Sequence, residues 1–154
     1  MPVEGIDAAV GFTNDANGVI VSAAADVAAL LDLEDIALAA SVEDIYLLDA
    51  ETNQLNADVK AEVSGIGLWA AYQMTAAKVN KLAAKASYST TVEDFDLSAS
   101  FKAQMNDLSD IANTSTYTIA AGAGYAMGGV SYALDAEYVI DGTFTLSPSV
   151  SISF

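Results

Sequence analysis

The residue types that usually carry covalent chemistry are missing from this chain. It has no His and no Cys, so Ser–His and Cys–His nucleophiles cannot be assembled, nor a disulfide or thiolate metal site. Paired carboxylates remain: Asp58 with Glu62, and Asp135 with Glu137. Spacings of four and two put each pair on one face of a strand, where a general acid–base dyad is possible in principle. A wet or salt-bridged polar face accounts for them better. The loops add Asp15, Asp49, Glu51, Asp107 and Asp110. Asp107-x-x-Asp110 could hold a divalent cation weakly, but it lacks the ligand density of a calcium loop, and solvated loop acids are the simpler account. No enzyme activity, catalytic residue, metal or cofactor is expected.

Composition raises the question of what positions these acids. Hydrophobic residues make up 53% of the 154, yet five basic residues face 21 acidic ones, for a net charge of -16. A chain both apolar and acidic must separate the two characters in space. That charge argues against nucleic acid as a partner. No apolar run reaches the roughly 18 residues of a transmembrane helix, and the stretch from Ala23 to Leu31 is broken by Asp26. No basic segment precedes an apolar one at the start, so no signal peptide is expected there. Length and composition predict one domain over residues 1–154.

Alternation of apolar with polar or small residues runs along nearly the whole chain, the signature of strands with two unlike faces. One face reads Ile6, Ala8, Val10, Phe12, then Val19 to Val27 and Ile36 to Val42 by twos, and continues in this way to Phe154. The other carries Asp7, Asp26, Glu43, Asp58, Lys60, Glu62, Trp69, Gln73, Lys85, Asp96, Lys102, Gln104, Asp135 and Glu137, filled out by Ser, Thr, Gly and Ala. Only Asp44 puts a charge on the apolar face.

Turn parity tests that assignment, because a two-residue hairpin keeps its flanking residues on one face. Leu33-Glu34-Asp35-Ile36, Val63-Ser64-Gly65-Ile66 and Val92-Glu93-Asp94-Phe95 all obey it. Between Tyr138 and Phe144 parity instead requires a three-residue loop, Ile140-Asp141-Gly142, with Gly142 expected in the left-handed conformation. Leu33–Val42 also aligns with Val92–Phe101 at an offset of 59 residues. The alignment places Glu43 against Lys102, inside a strand, and so favours ten strands over eleven. Tight connections (34–35, 64–65, 93–94 and 126–129) then fall at one end, and mostly longer ones (14–18, about 47–53, about 76–81, about 106–115 and 140–142) at the other.

Apolar-face aromatics gather near both strand ends. Phe12, Tyr46, Tyr72, Tyr117, Tyr138 and Phe144 lie toward the longer loops, and Phe95, Tyr125, Tyr132 and Phe154 toward the tight turns. Tyr88 and Phe101 sit mid-strand. Two aromatic bands are what the two headgroup zones of a bilayer favour.

With its even strand number, unequal loops, aromatic bands and alternating C-terminal segment Phe144–Phe154, the chain resembles the bacterial outer-membrane β-barrel class. The resemblance is porin-like and lies in pattern along the chain, not in a family motif. It departs from that class in its short loops and in Pro148 within the last strand. The resemblance implies an all-β, closed up-and-down antiparallel transmembrane barrel of about ten strands in the outer membrane. Its partners would be the lipid bilayer and the barrel-assembly machinery, with small cations in the lumen. The expected function is a narrow pore or passive channel for ion transport, with cation preference because lumen acids outnumber lumen lysines. Trp69 points inward and would either constrict the passage or simply pack. Alternatives are a closed structural or anchoring barrel, a fragment of a larger barrel, and a soluble barrel with its apolar face inward. The short loops and absent signal also fit a designed or engineered pore.

Overall fold

The computed structural model describes residues 4–13 and 17–152. Ten strands form one antiparallel sheet in sequence order: β1 (Ile6–Thr13), β2 (Gly18–Asp26), β3 (Ala37–Leu47), β4 (Thr52–Val63), β5 (Ile66–Met74), β6 (Asn80–Val92), β7 (Phe95–Met105), β8 (Ser115–Met127), β9 (Val130–Val139) and β10 (Phe144–Ile152). Two single-turn helices, α1 (Val27–Leu30) and α2 (Ile111–Thr114), lie in connections. The expected all-β class, strand number and up-and-down order are therefore present. The ladders set residues of the same face opposite one another, mostly apolar against apolar on one side: Val10 opposite Val21, Ala61 opposite Leu68, Phe101 opposite Ile119 and Tyr125 opposite Tyr132, with Asp44 between Val21 and Leu55 an exception. A slip by one residue anywhere would exchange the faces.

The turns show how parity is kept. Ser64 (φ 49°) and Gly65 (φ 79°) form a two-residue turn with both residues left-handed, as do Gly128 (φ 60°) and Gly129 (φ 81°), the geometry that matches strand twist. Val92 pairs with Phe95 around Glu93, itself at φ 55°. The loop after β9 has the expected three residues, since the Val139 amide donates to the Thr143 carbonyl at 2.9 Å. Its left-handed residue is Asp141 (φ 60°) and not Gly142, a conformation Asp tolerates through local hydrogen bonding.

The connection between β2 and β3 departs from expectation. Glu34-Asp35 is not a hairpin turn. Strand β2 stops at Asp26, whose carboxylate accepts from the Ala29 amide at 3.0 Å and caps α1, so Val27 and Ile36 lie outside the strands. The strands pair with Asp26 opposite Ala39, four residues away from the register a 34–35 turn would impose. An even displacement leaves every side chain on its assigned face, which is why the error did not propagate.

The sheet is not closed: its edge strands are β1 and β10, unpaired with each other among the described residues. On both edges the free backbone groups belong to even-numbered residues. The Asp26 amide donates to the Gly5 carbonyl, and antiparallel bonds alternate along a strand, so Ile6, Ala8, Val10 and Phe12 turn their N–H and C=O groups to the free edge. By the same alternation from Val139 and Thr143, so do Phe144, Leu146, Pro148, Val150 and Ile152. Pro148 thus takes no bond from the β9–β10 ladder; its missing donor falls on the free edge, a position where strands tolerate proline.

No conventional core accompanies this sheet. Ala28 is the one buried hydrophobic residue among those described, and no polar residue is buried. The apolar face stays open along its length, from Val10 and Phe12 (73% and 77% exposed) to Phe144 and Val150 (both 62%).

Candidate functional site: the concave polar face

Curvature places the polar face inside. A cavity of about 790 Å³ runs across seven strands, bounded by Asp7 of β1 at one side and Gln104 of β7 at the other. Most of its lining has polar-face parity, Ser22, Ser41, Glu43, Asn56, Asp58, Lys60, Trp69, Gln73 and Lys81 among it, with apolar-parity residues such as Val42 and Tyr72 between them. A second cavity of about 380 Å³ continues along β6–β10, where Lys85 shares the lining with Asp135 and Glu137. A third, of about 420 Å³, holds Asp96 and Asp135 beside Gly122. A Cβ at Gly122 would lie 2.6 Å from Asp135 Oδ1, so glycine there leaves room for the carboxylate.

Cross-strand registry organises these groups into rows. Nearest the longer loops, Glu43, Asn56 and Gln73 are successive partners on β3, β4 and β5. Asn56 Nδ2 donates to Glu43 Oε1 at 3.2 Å, and Gln73 Nε2 donates to Asn56 Oδ1 at 3.0 Å. In the next row the Ser41 hydroxyl donates to Asp58, whose other oxygen lies 3.9 Å from Lys60 Nζ. One row further, Lys60, Trp69, Lys85 and Lys102 are consecutive partners on β4, β5, β6 and β7. Toward the tight turns, Thr91 Oγ1 donates to Asp96 at 2.8 Å, and Glu62 lines a cavity of about 300 Å³ with Lys60, Trp69 and Lys85.

The polar residues singled out from sequence therefore share one face, with one exception in role: Asp26 is spent on capping α1. Lys81 and Asn56 were missed. The expected connection at about 76–81 takes in Lys81, whereas β6 already begins at Asn80; Asn56 is polar but uncharged, and only its pairing with Glu43 and Gln73 reveals it.

On the convex face, Phe12, Tyr46, Tyr72, Tyr117, Tyr138 and Phe144 lie toward the longer-loop ends of their strands, with Tyr138 directly opposite Phe144. Phe95 and Tyr125 pack at the other end with ring centroids 4.9 Å apart and planes tilted by 32°, and Tyr132 pairs with Tyr125. Phe154 lies outside the described residues. Asp44 is not isolated there: Asn53 Nδ2 donates to it at 3.0 Å, and Lys78 Nζ donates to Asn53 Oδ1 at 2.7 Å. This polar chain sits near the loops 48–51 and 75–79, at one rim of the apolar face.

The loop acids serve the loop itself. Asp107 accepts from Ser109 Oγ at 2.6 Å and from its amide at 2.8 Å, bonds that hold its carboxyl below the ordinary value. Asp110 accepts from Asn113 Nδ2 at 2.8 Å. Among the described residues no group of three or more acids is placed to hold a metal ion. No family model, curated protein or solved structure matches the chain; the chemistry of the two faces is what speaks to function.

Proposed function

We propose that the sheet closes into a ten-stranded transmembrane β-barrel of the outer-membrane, porin-like type, and that its polar lumen is a narrow, cation-preferring passage. One observation carries the reading: a cavity of about 790 Å³ spans seven strands on the polar face, while the apolar face, with a pocket of about 430 Å³ between β4 and β7, has nothing to bury it. In water that face would expose an apolar area far beyond the few hundred Å² usual on a soluble monomer. In a bilayer it meets its solvent, and the aromatic bands meet the headgroup zones. The soluble alternative needs the apolar face inside, opposite to the curvature.

Closure follows from the same setting. Unpaired backbone groups are too costly in hydrocarbon, so a sheet there cannot keep edges. Parity requires even-numbered residues of β10 to face even-numbered residues of β1. Strand tilts of about 35–45° at about 4.8 Å spacing correspond to a stagger of about 10–14 residues for ten strands. Val150 opposite Val10, with Pro148 opposite Phe12, satisfies both conditions. Asp7, Glu43, Asp58, Glu62, Asp96, Asp135 and Glu137 give the lumen its net negative charge and favour cations. Small residues such as Ala9, Ala71, Gly124 and Ser147 leave room for water. Planar-bilayer recording tests the passage. Stepwise currents whose reversal potential follows the cation gradient support it. A folded, inserted but electrically silent protein replaces it with a closed structural or anchoring barrel.

A further inference from the structure

The lysines are distributed in a way that net charge conceals. The chain has five, and four of them, Lys60, Lys81, Lys85 and Lys102, have concave-face parity on three strands, β4, β6 and β7. Three share a single row with Trp69, and Lys85 stands directly opposite Lys102. Like charges directly opposed across a ladder destabilise it; Lys85 shares one cavity with Asp135 and Glu137 and another with Glu62, but none of these carboxylates pairs with it within 4.0 Å. Among the described residues the one ion pair within 4.0 Å is Lys60 with Asp58, at 3.9 Å, and the Lys60 side chain is 68% exposed. The row neighbours of Lys85 and Lys102 beyond the lysines themselves are Trp69 and Thr118, neither of which carries charge. Cavities open beside the row on both sides of Trp69.

We propose that this row is a binding station for small multivalent oxyanions of the phosphate class, inside a passage whose other charged groups, Lys81 apart, are acidic. An oxyanion between Lys85 and Lys102 would exchange charge repulsion for two charge-assisted hydrogen bonds. Lys60 supplies a third ammonium on the far side of Trp69, whose ring forms one wall. The lumen then has two regimes: cations are drawn in by carboxylates at either end, and anions are held at the lysine row. The proposal rests on the polar face being an enclosed lumen, but its test needs no current.

Trp69 is the sole tryptophan, so native fluorescence reports on the row directly. In full-length protein folded in neutral detergent, and with each quencher normalised to its effect on free N-acetyltryptophanamide, iodide is expected to quench Trp69 several-fold better than caesium at equal ionic strength, against the sign of the whole molecule's charge. Millimolar pyrophosphate should suppress iodide quenching and leave acrylamide quenching unchanged. Lys85→Gln with Lys102→Gln should remove the iodide preference and the pyrophosphate effect together, with acrylamide again unchanged as the control for folding. Equal or better quenching by caesium, or iodide quenching indifferent to pyrophosphate, would overturn the proposal. An electrically silent barrel that still prefers iodide would remove the conducting passage and keep the station. A conducting one with caesium preference would do the reverse.

Discussion

The two faces of this sheet are built from the same strands and obey opposite rules. On the convex face, specificity is low: Leu, Val, Ala and aromatics alternate with few polar interruptions, and particular partners are confined to the longer-loop rim, as in Asp44 with Asn53 and Tyr72 with Asn80. On the concave face the partners are particular, as in the Glu43–Asn56–Gln73 ladder, Ser41 with Asp58, and Thr91 with Asp96. A sheet with a packed core keeps its specificity in the buried layer. Here neither face is buried, so register must come from the hydrogen-bonded polar rows and from the turns.

Matched substitutions on adjacent strands should separate the faces most clearly. Val59→Arg on the convex face is expected to destabilise the bilayer-inserted protein by about 2–4 kcal/mol, the usual cost of a guanidinium near the bilayer middle. Ala71→Arg, on the concave face opposite Asp58, should change stability by less than about 1 kcal/mol. Urea titration of folding into lipid vesicles measures both, and equal costs would erase the distinction. Next in size is Gly65→Val. At φ 79°, with its Cβ 2.2 Å from the Ser89 carbonyl oxygen, it should cost about 1–3 kcal/mol by the same titration.

Asn56→Leu should act on the polar rows alone. Losing the bonds to Glu43 and Gln73 is expected to cost about 1 kcal/mol and to alter the lumen near the longer loops. If stability and single-channel conductance are both unchanged, the ladder does not organise the concave face. The smallest effect concerns the loop 106–114. Asp107 is held below the ordinary carboxylate range, so its bonds to Ser109 contribute at all pH values above that range. They are lost only as pH falls through the lowered folded value. Hydrogen exchange at Ser109 should rise only in acid, and Asp107→Asn should abolish that pH dependence; a rise near neutrality would contradict the assignment.

Faces, strand number and strand order were legible because they depend on parity, and parity survives even-numbered errors. Local sequence was less dependable. Leu33-Glu34-Asp35-Ile36 and Val92-Glu93-Asp94-Phe95 look alike, yet only the second is a hairpin turn. Upstream of the first, Asp26 can cap a helical turn in Val27-Ala28-Ala29-Leu30, residues that favour helix more than the Ser-Thr-Thr run before Val92. Gly142 looked like the obvious left-handed residue of its loop, but Asp141 takes that role. The concave acids could be read from alternation alone. Their assembly into rows could not, because which lysine meets which depends on the stagger of every hairpin. The lysine row itself depends on the β5–β6 stagger, which sets Lys85 opposite Trp69.

The central claim, that apolar-face side chains meet lipid while polar-face side chains meet a water-filled lumen, is tested most directly on four consecutive residues of β4. Single cysteines at Val59, Lys60, Ala61 and Glu62, labelled with a small probe after folding into vesicles, would be exposed in turn to a lipid-soluble and a water-soluble quencher. The account predicts strict alternation: Val59 and Ala61 reached from lipid, Lys60 and Glu62 from water. Four labels with the same accessibility, or water access at Val59 and Ala61 with lipid access at neither, would contradict it.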